Sequence, residues 1–249
     1  MPPPITLQQT KSGMPFALMG EGGADRAPLL LVLGGEKQEA LGTAQCNKVG
    51  HLLADRGVLC ASVDVPSHGE DQRPGEPEGL EGWRARLDRG EDFVSGGVMS
   101  VSAVLDHLID RGDADPGRIS VAGTSRGGFL ALHAAAADER IRRIVAFAPV
   151  TDLPVLKEFR GLEEHALTRS LALHQHVERL VDRELWACIG NADERVGTDR
   201  LMSFVHQLAA TNVARGLPAK VELHVMPSAG HRIHDTAHEE AAQWLSARI

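Results

Sequence analysis

The sequence predicts an α/β fold: a doubly wound, mostly parallel β-sheet with helices on both faces and one small helical insertion. Three observations lead there. Short apolar runs alternate with amphipathic segments along the chain, and no composition break marks a linker. Leu29–Leu33 is apolar at every position, as in a strand covered on both faces. Arg118–Leu130 reads as strand, sharp turn and helix in direct succession. The 249 residues suffice for one domain over 1–249 with a large core and no staples.

Each element follows from its local pattern. Residues 4–20 alternate weakly around Ser12-Gly13, which suggests an edge hairpin. After Leu29–Leu33 a helix places Cys46, Val49, Leu52 and Leu53 on one face, with Gly57 beyond its end. Val58–Val65 is a strand stopped by Pro66. Residues 67–92 form a long polar connection, and the spacing of Leu80, Trp83 and Leu87 suits one short helix within it. Val94, Val98, Val101, Leu105 and Leu108 mark an amphipathic helix. Asp115-Pro116-Gly117 turns the chain into the next strand, and Ile144–Ala148 is a further strand ended by Pro149. Residues 152–182 read mainly as helix and interrupt the alternation. The chain closes with a strand at 184–189, a helix with Met202, Val205, Leu208 and Ala209 inward, and a strand at 220–226. A last helix carries Ala237, Ala241, Trp244 and Leu245.

Composition narrows the function. A formal net charge of −8 argues against nucleic-acid binding, which needs clustered Lys and Arg. No apolar run approaches the roughly 20 residues of a membrane span, and the Met-Pro-Pro-Pro-Ile start lacks a signal-peptide pattern. Cys46, Cys60 and Cys188 form no C-x-x-C pair, so neither a zinc nor a redox motif is evident. Cys60 and Cys188, within apolar runs, read as buried free thiols. These features make a cytoplasmic location the expectation.

The chemistry centres on Gly123-Thr124-Ser125-Arg126-Gly127, a G-x-S-x-G pattern between a β-prone run and an Ala/Leu-rich helix. A serine hydroxyl is a weak nucleophile and must be held where a base can reach it. A strand-to-helix turn does this, and the small flanking residues let strand and helix approach. The N–H of Arg126 is then one oxyanion donor at a helix N-terminus. In such sheets ligands lie beyond the carboxyl ends of the strands. Asp193 follows the strand 184–189, and His231 follows the last strand. Ser125, Asp193 and His231 therefore form a candidate triad, with His231 as base and Asp193 fixing its tautomer. Asp152, after an earlier strand, is the alternative acid, and Glu194 is adjacent to the first choice.

With these residues the chain resembles the α/β-hydrolase superfamily, most closely its dienelactone-hydrolase and prolyl-oligopeptidase-like serine hydrolases. The resemblance rests on Gly123–Gly128, Asn191–Asp193, Ala229–His231 and Asp64-Val-Pro-Ser-His-Gly69. The last is similar to the family's D-x-P-x-H-G stretch, which implies a turn-shaping role for His68. Family members often carry His-Gly after the third strand, where this chain has Gly34-Gly35. Alignment to that motif implies the second oxyanion N–H at Glu36, with Gly35 as the alternative. The lipase-like H-G-G-G motif is absent. The chain has no tyrosine, so the oxyanion tyrosine of true prolyl oligopeptidases has no counterpart. Dienelactone hydrolases proper use a cysteine where Ser125 stands.

These readings lead to a serine hydrolase that forms an acyl-enzyme and acts on a small-molecule ester, with no metal or organic cofactor. A small peptidase or amidase, or a low-turnover binding protein on the same fold, is the alternative. Oligomeric state is left open. Trp83 and the leucines of 152–182 are the expected walls of a closed site that favours short acyl groups. Those leucines could equally pack the insertion onto the body.

Overall fold

The computed structural model describes residues 3–21 and 26–249. The apolar runs assemble into one eight-stranded sheet: β1 (Ile5–Gln9), β2 (Pro15–Met19), β3 (Ala27–Leu33), β4 (Leu59–Ser62), β5 (Ala114–Thr124), β6 (Ile141–Phe147), β7 (Glu184–Ala192) and β8 (Val221–Ala229). Their spatial order is β1-β2-β4-β3-β5-β6-β7-β8. The first two strands are antiparallel, and every neighbouring pair from β4 to β8 is parallel. Parallel strands share one carboxyl edge, so the loops after β3, β5, β7 and β8 meet there.

The helices are α1 (Lys37–Gly42), α2 (Ala44–Leu53), α3 (Gly79–Asp88), α4 (Phe93–Arg111), α5 (Arg126–Ala137), α6 (Ala166–Ser170), α7 (Thr198–Ala214) and α8 (Asp235–Ser246). They cover both faces of the sheet. One apolar cluster holds α3, α4, α5, α7 and the insertion against one face, and another holds α2 and α8 against the other. By length and hydropathy α4 could cross a membrane. Here its Val101, Val104, Leu105 and Leu108 are fully buried in the first cluster.

The edge hairpin, the strand cores and the last helix form where the sequence places them. Three details differ. In α2 a non-helical Asn47 (φ −126°, ψ 30°) breaks the stripe, so Val49 and Leu53 are buried while Leu52 is exposed. In α7 the inward face is Leu201, Phe204, Val205 and Leu208, and Met202 points to solvent. The segment 152–182 is not mainly helix. It holds one five-residue helix, α6, and short 3₁₀ turns at Leu153–Val155, Lys157–Phe159, Leu173–Gln175 and Val177–Arg179. Leu153, Leu156, Phe159 and Leu162, all buried, recur at every third residue. That is the period of a 3₁₀ turn, in which i and i+3 eclipse.

The insertion is tied to α5 by His133, whose Nε2–H donates to the Leu171 carbonyl at 3.0 Å. Burial, aided by the nearby His176 ring, pushes the His133 pKa down to about 3. An unfolded histidine binds a proton near pH 6.5, whereas the folded one does not until about pH 3. Stability is therefore present above pH 6.5 and lost as pH falls, by up to about 1.4 kcal/mol per unit from this group. His133→Gln keeps a donor and removes the titration. Urea unfolding at pH 6, 5 and 4 should show a shallower loss in that variant, and an unchanged slope would assign the acid sensitivity elsewhere.

Candidate active site

The elbow is built by close approach. A Cβ on Gly123 would lie 2.3 Å from the Gly127 carbonyl carbon, and one on Gly127 would lie 1.9 Å from the Leu33 oxygen. Only glycine fits at either place. Between them Ser125 adopts φ 54°, ψ −116°, a conformation that costs a non-glycine residue energy. The surroundings hold it there. Its N–H donates to the Phe147 carbonyl at 2.8 Å, and its carbonyl accepts from the N–H groups of Phe129 and Val150, each at 3.1 Å. Arg126 opens α5, where a backbone N–H has no intrahelical acceptor.

Asp193 follows β7 with its side chain fully buried. Its Oδ1 accepts the N–H groups of Arg195 at 3.0 Å and Val196 at 3.2 Å, which fixes the carboxylate in the turn. Its Oδ2 lies 2.7 Å from Nδ1 of His231. His231 follows β8, and the two loops are joined by the Gly230 N–H donating to the Ala192 carbonyl and by the Ser228 N–H donating to Asn191 Oδ1. An imidazole held through Nδ1 keeps Nε2 available as a base. Ser125 and His231 line the same cavity of about 580 Å³, with Leu80, Cys46, Arg126 and Arg195 also in its wall. Among the described residues no hydrogen bond joins Ser125 and His231; such contacts commonly tighten only with substrate in place. The alternative acid, Asp152, is not among the cavity residues, and its carboxylate sits 3.9 Å from Arg200.

The turn after β3 closes the opposite side. Gly34 lines the cavity. The Gly35 carbonyl accepts the Val65 N–H, and the Glu36 carboxylate caps α1 by accepting the Glu39 N–H at 2.7 Å. The Asp64–Gly69 stretch shapes this region. Asp64 accepts the backbone N–H groups of Lys37 and Glu70 and pairs with the buried Lys37 ammonium at 2.9 Å. His68 is buried, and its Nδ1–H donates to the Pro66 carbonyl at 3.0 Å. Burial, reinforced by the Arg126 charge, lowers its pKa.

Two expected wall elements are elsewhere. Trp83 is fully buried in the main core and does not line the cavity. Its Nε1–H donates to the Pro66 carbonyl at 2.6 Å, and its ring lies 4.5 Å from Phe93 and 6.0 Å from Phe129. Packing against Phe93 and Phe129 takes the indole into the core, and Leu80, on the same short helix, lines the cavity. Trp83→Ala should therefore cost about 3–5 kcal/mol of stability in urea unfolding, and a loss below about 1 kcal/mol would contradict the core position. The insertion is likewise not a lid over Ser125. Leu153, Leu156, Leu162, Leu171 and Leu173 pack onto the body, and a separate cavity of about 340 Å³ lies beside Asp152 and Arg200.

Sequence reasoning missed Cys46, Leu80, Arg195, Ile233 and His238 as cavity residues. Arg195 and Ile233 could have been found by their places two residues beyond Asp193 and His231. Cys46 and His238, on helices packed across the sheet from α5, carry no local signal. Cys60 and Cys188 are buried, and burial pushes both thiols up to about 12. Among the described residues no cluster of His, Cys, Asp and Glu could hold a metal ion.

Known proteins match this chain in sequence and in fold. It is 34% identical over 90 residues to an acylamino-acid-releasing enzyme of Arabidopsis thaliana, a match covering 29% of this chain and 12% of that protein. It is 30% identical over 141 residues to "Putative esterase YitV" of Bacillus subtilis, covering 54% of this chain and 50% of that one. The chain thus spans half or less of these relatives. The crystal structure of TT1662 from Thermus thermophilus superposes with a TM-score of 0.71 at 19% identity, over 98% of both chains, which shows the α/β-hydrolase fold. Residues 95–247, more than half of the chain and containing Ser125, Asp193 and His231, match the model of the prolyl oligopeptidase family, and the chain belongs to that family of serine hydrolases.

Proposed function

We propose that this chain is a carboxylesterase that cleaves small esters through an acyl-enzyme on Ser125. The observation that carries the reading is the fixed Asp193–His231 pair opening onto the same cavity as a strained serine elbow. His231 Nε2 takes the Ser125 proton as Oγ attacks the ester carbonyl, then gives it to the leaving alcohol. Asp193 stabilises the imidazolium without taking its proton. Water then repeats the sequence on the acyl-enzyme and releases the acid. The backbone N–H of Arg126 stabilises the oxyanion, with a second donor from the turn after β3: Glu36, or Gly35. A cavity of about 580 Å³ suits a small molecule. The esterase name of the Bacillus relative supports an ester, and the plant relative keeps peptide bonds open as the other arm of the test.

A fluorophosphonate should label the native protein at Ser125 alone, located by peptide mapping. A panel of acetyl, butyryl and decanoyl aryl esters beside matched anilides should then show ester turnover exceeding anilide turnover. Labelling at another serine would remove the assignment, and faster anilide cleavage would make the protein an amidase.

A further inference from the structure

The cavity is cationic in an acidic protein. Arg126, Arg195 and Arg232 line it and, among the described residues, no aspartate or glutamate does, although the whole chain carries a net charge of −8. The three arginines differ in what they meet. Arg195 is engaged by Glu158 of the insertion at 2.7 Å, and Arg232 is exposed. Arg126 is half-buried, and among the described residues no carboxylate lies within 4 Å of its guanidinium. Its Nε–H donates to the Gly34 carbonyl at 3.3 Å. Its two terminal nitrogens sit in a slot between two glycines. A Cβ on Gly35 would lie 3.5 Å from Nη2, and one on Gly79 would lie 3.7 Å from Nη1. The same two positions lie against the His68 ring, which is held by the Pro66 carbonyl.

A guanidinium held this way is oriented without being neutralised. Glu78 and Glu39 act on it only at a distance, Arg195 opposes its charge, and burial lowers its pKa. Holding an uncompensated cation out of water is unfavourable, and a bound anion would reverse that. The N-terminus of α5, at the same spot, adds positive potential of the same sign.

Resting on the hydrolase reading above, we propose that the substrate is an anionic ester, carrying a carboxylate on its acyl or alcohol portion, and that the Arg126 side chain selects it. The guanidinium takes the carboxylate through its terminal N–H groups, while the backbone N–H of the same residue faces the oxyanion. His68 is a positioning residue that keeps the guanidinium in its slot.

The test compares matched esters on the native protein. For the acyl side the pair is the p-nitrophenyl monoester of succinate against p-nitrophenyl butyrate. For the alcohol side it is 4-acetoxybenzoate against phenyl acetate. The anionic member of one pair should have the higher kcat/KM, by about 10- to 100-fold after correction for its non-enzymatic rate. That ratio should fall with added salt. In Arg126→Gln the ratio should collapse toward one whatever happens to the absolute rates, and Arg126→Lys should retain part of it. His68→Phe should lower the ratio through the KM of the anionic ester. The salt series on the native protein stands independently if a variant fails to fold. Fluorophosphonate labelling of Ser125 and turnover of the neutral esters with no anionic preference in either pair would overturn this inference alone. A preference left intact in Arg126→Gln would do the same. Neither labelling nor turnover of any ester would overturn the hydrolase reading, and this inference with it.

Discussion

Ser125→Ala is expected to lower kcat by about 10⁴-fold or more while leaving the fold unchanged. The size follows from the roles. Without the hydroxyl no acyl-enzyme forms, and the remaining acceleration comes only from the oxyanion donors and binding. Alanine is tolerated structurally because the constraints on residue 125 are in its backbone. Its N–H and carbonyl remain bonded to Phe147, Phe129 and Val150, and the glycine contacts at 123 and 127 are untouched. The measurement is turnover of the best ester beside a urea midpoint. Residual activity within about 100-fold of the native protein, with the midpoint unchanged, would place the nucleophile elsewhere.

Asp193→Asn should reduce kcat by about 10³- to 10⁴-fold. The carboxylate accepts three hydrogen bonds, two from backbone N–H groups and one from His231. An amide can keep the turn by presenting its oxygen to Arg195 and Val196. Its NH₂ then faces His231 Nδ1, which must accept, so the proton moves to Nε2 and the base is lost. Asp152→Asn is the control. That residue meets Arg200 outside the cavity, so its replacement should change kcat by less than about threefold. Reversed effects would assign the acid to Asp152. Both variants are compared by kcat on one ester, with circular dichroism to confirm the fold.

The features legible in the sequence are those set by contacts close along the chain. The glycines around Ser125 are required by a turn that spans few residues, so their spacing alone marks the elbow. Continuous apolarity marks strands buried on both faces, and in a parallel sheet that places every following loop at one edge. Asp193 and His231 are candidates in the sequence for this reason, by their positions after strands and not by any contact between them.

What only the tertiary structure decided are the contacts between segments distant in sequence. Trp83 and Leu80 occupy one short helix with similar apolar character, and packing against Phe93 and Phe129 takes the indole into the core and leaves the leucine at the cavity. The insertion's leucines could have faced the site or the body. Their three-residue period folds them into 3₁₀ turns whose apolar edge meets the main core. For Arg126 the motif points only to its backbone N–H. Its guanidinium, which meets no carboxylate within 4 Å among the described residues, is held by Gly34 and Gly35 after β3, His68 after β4 and Gly79 at α3, which only the folded sheet brings together. Short-range sterics and hydrophobic period can be read along a chain. Which of two equivalent side chains is buried, and whether a charge finds a partner, are decided by energies summed over the assembled structure.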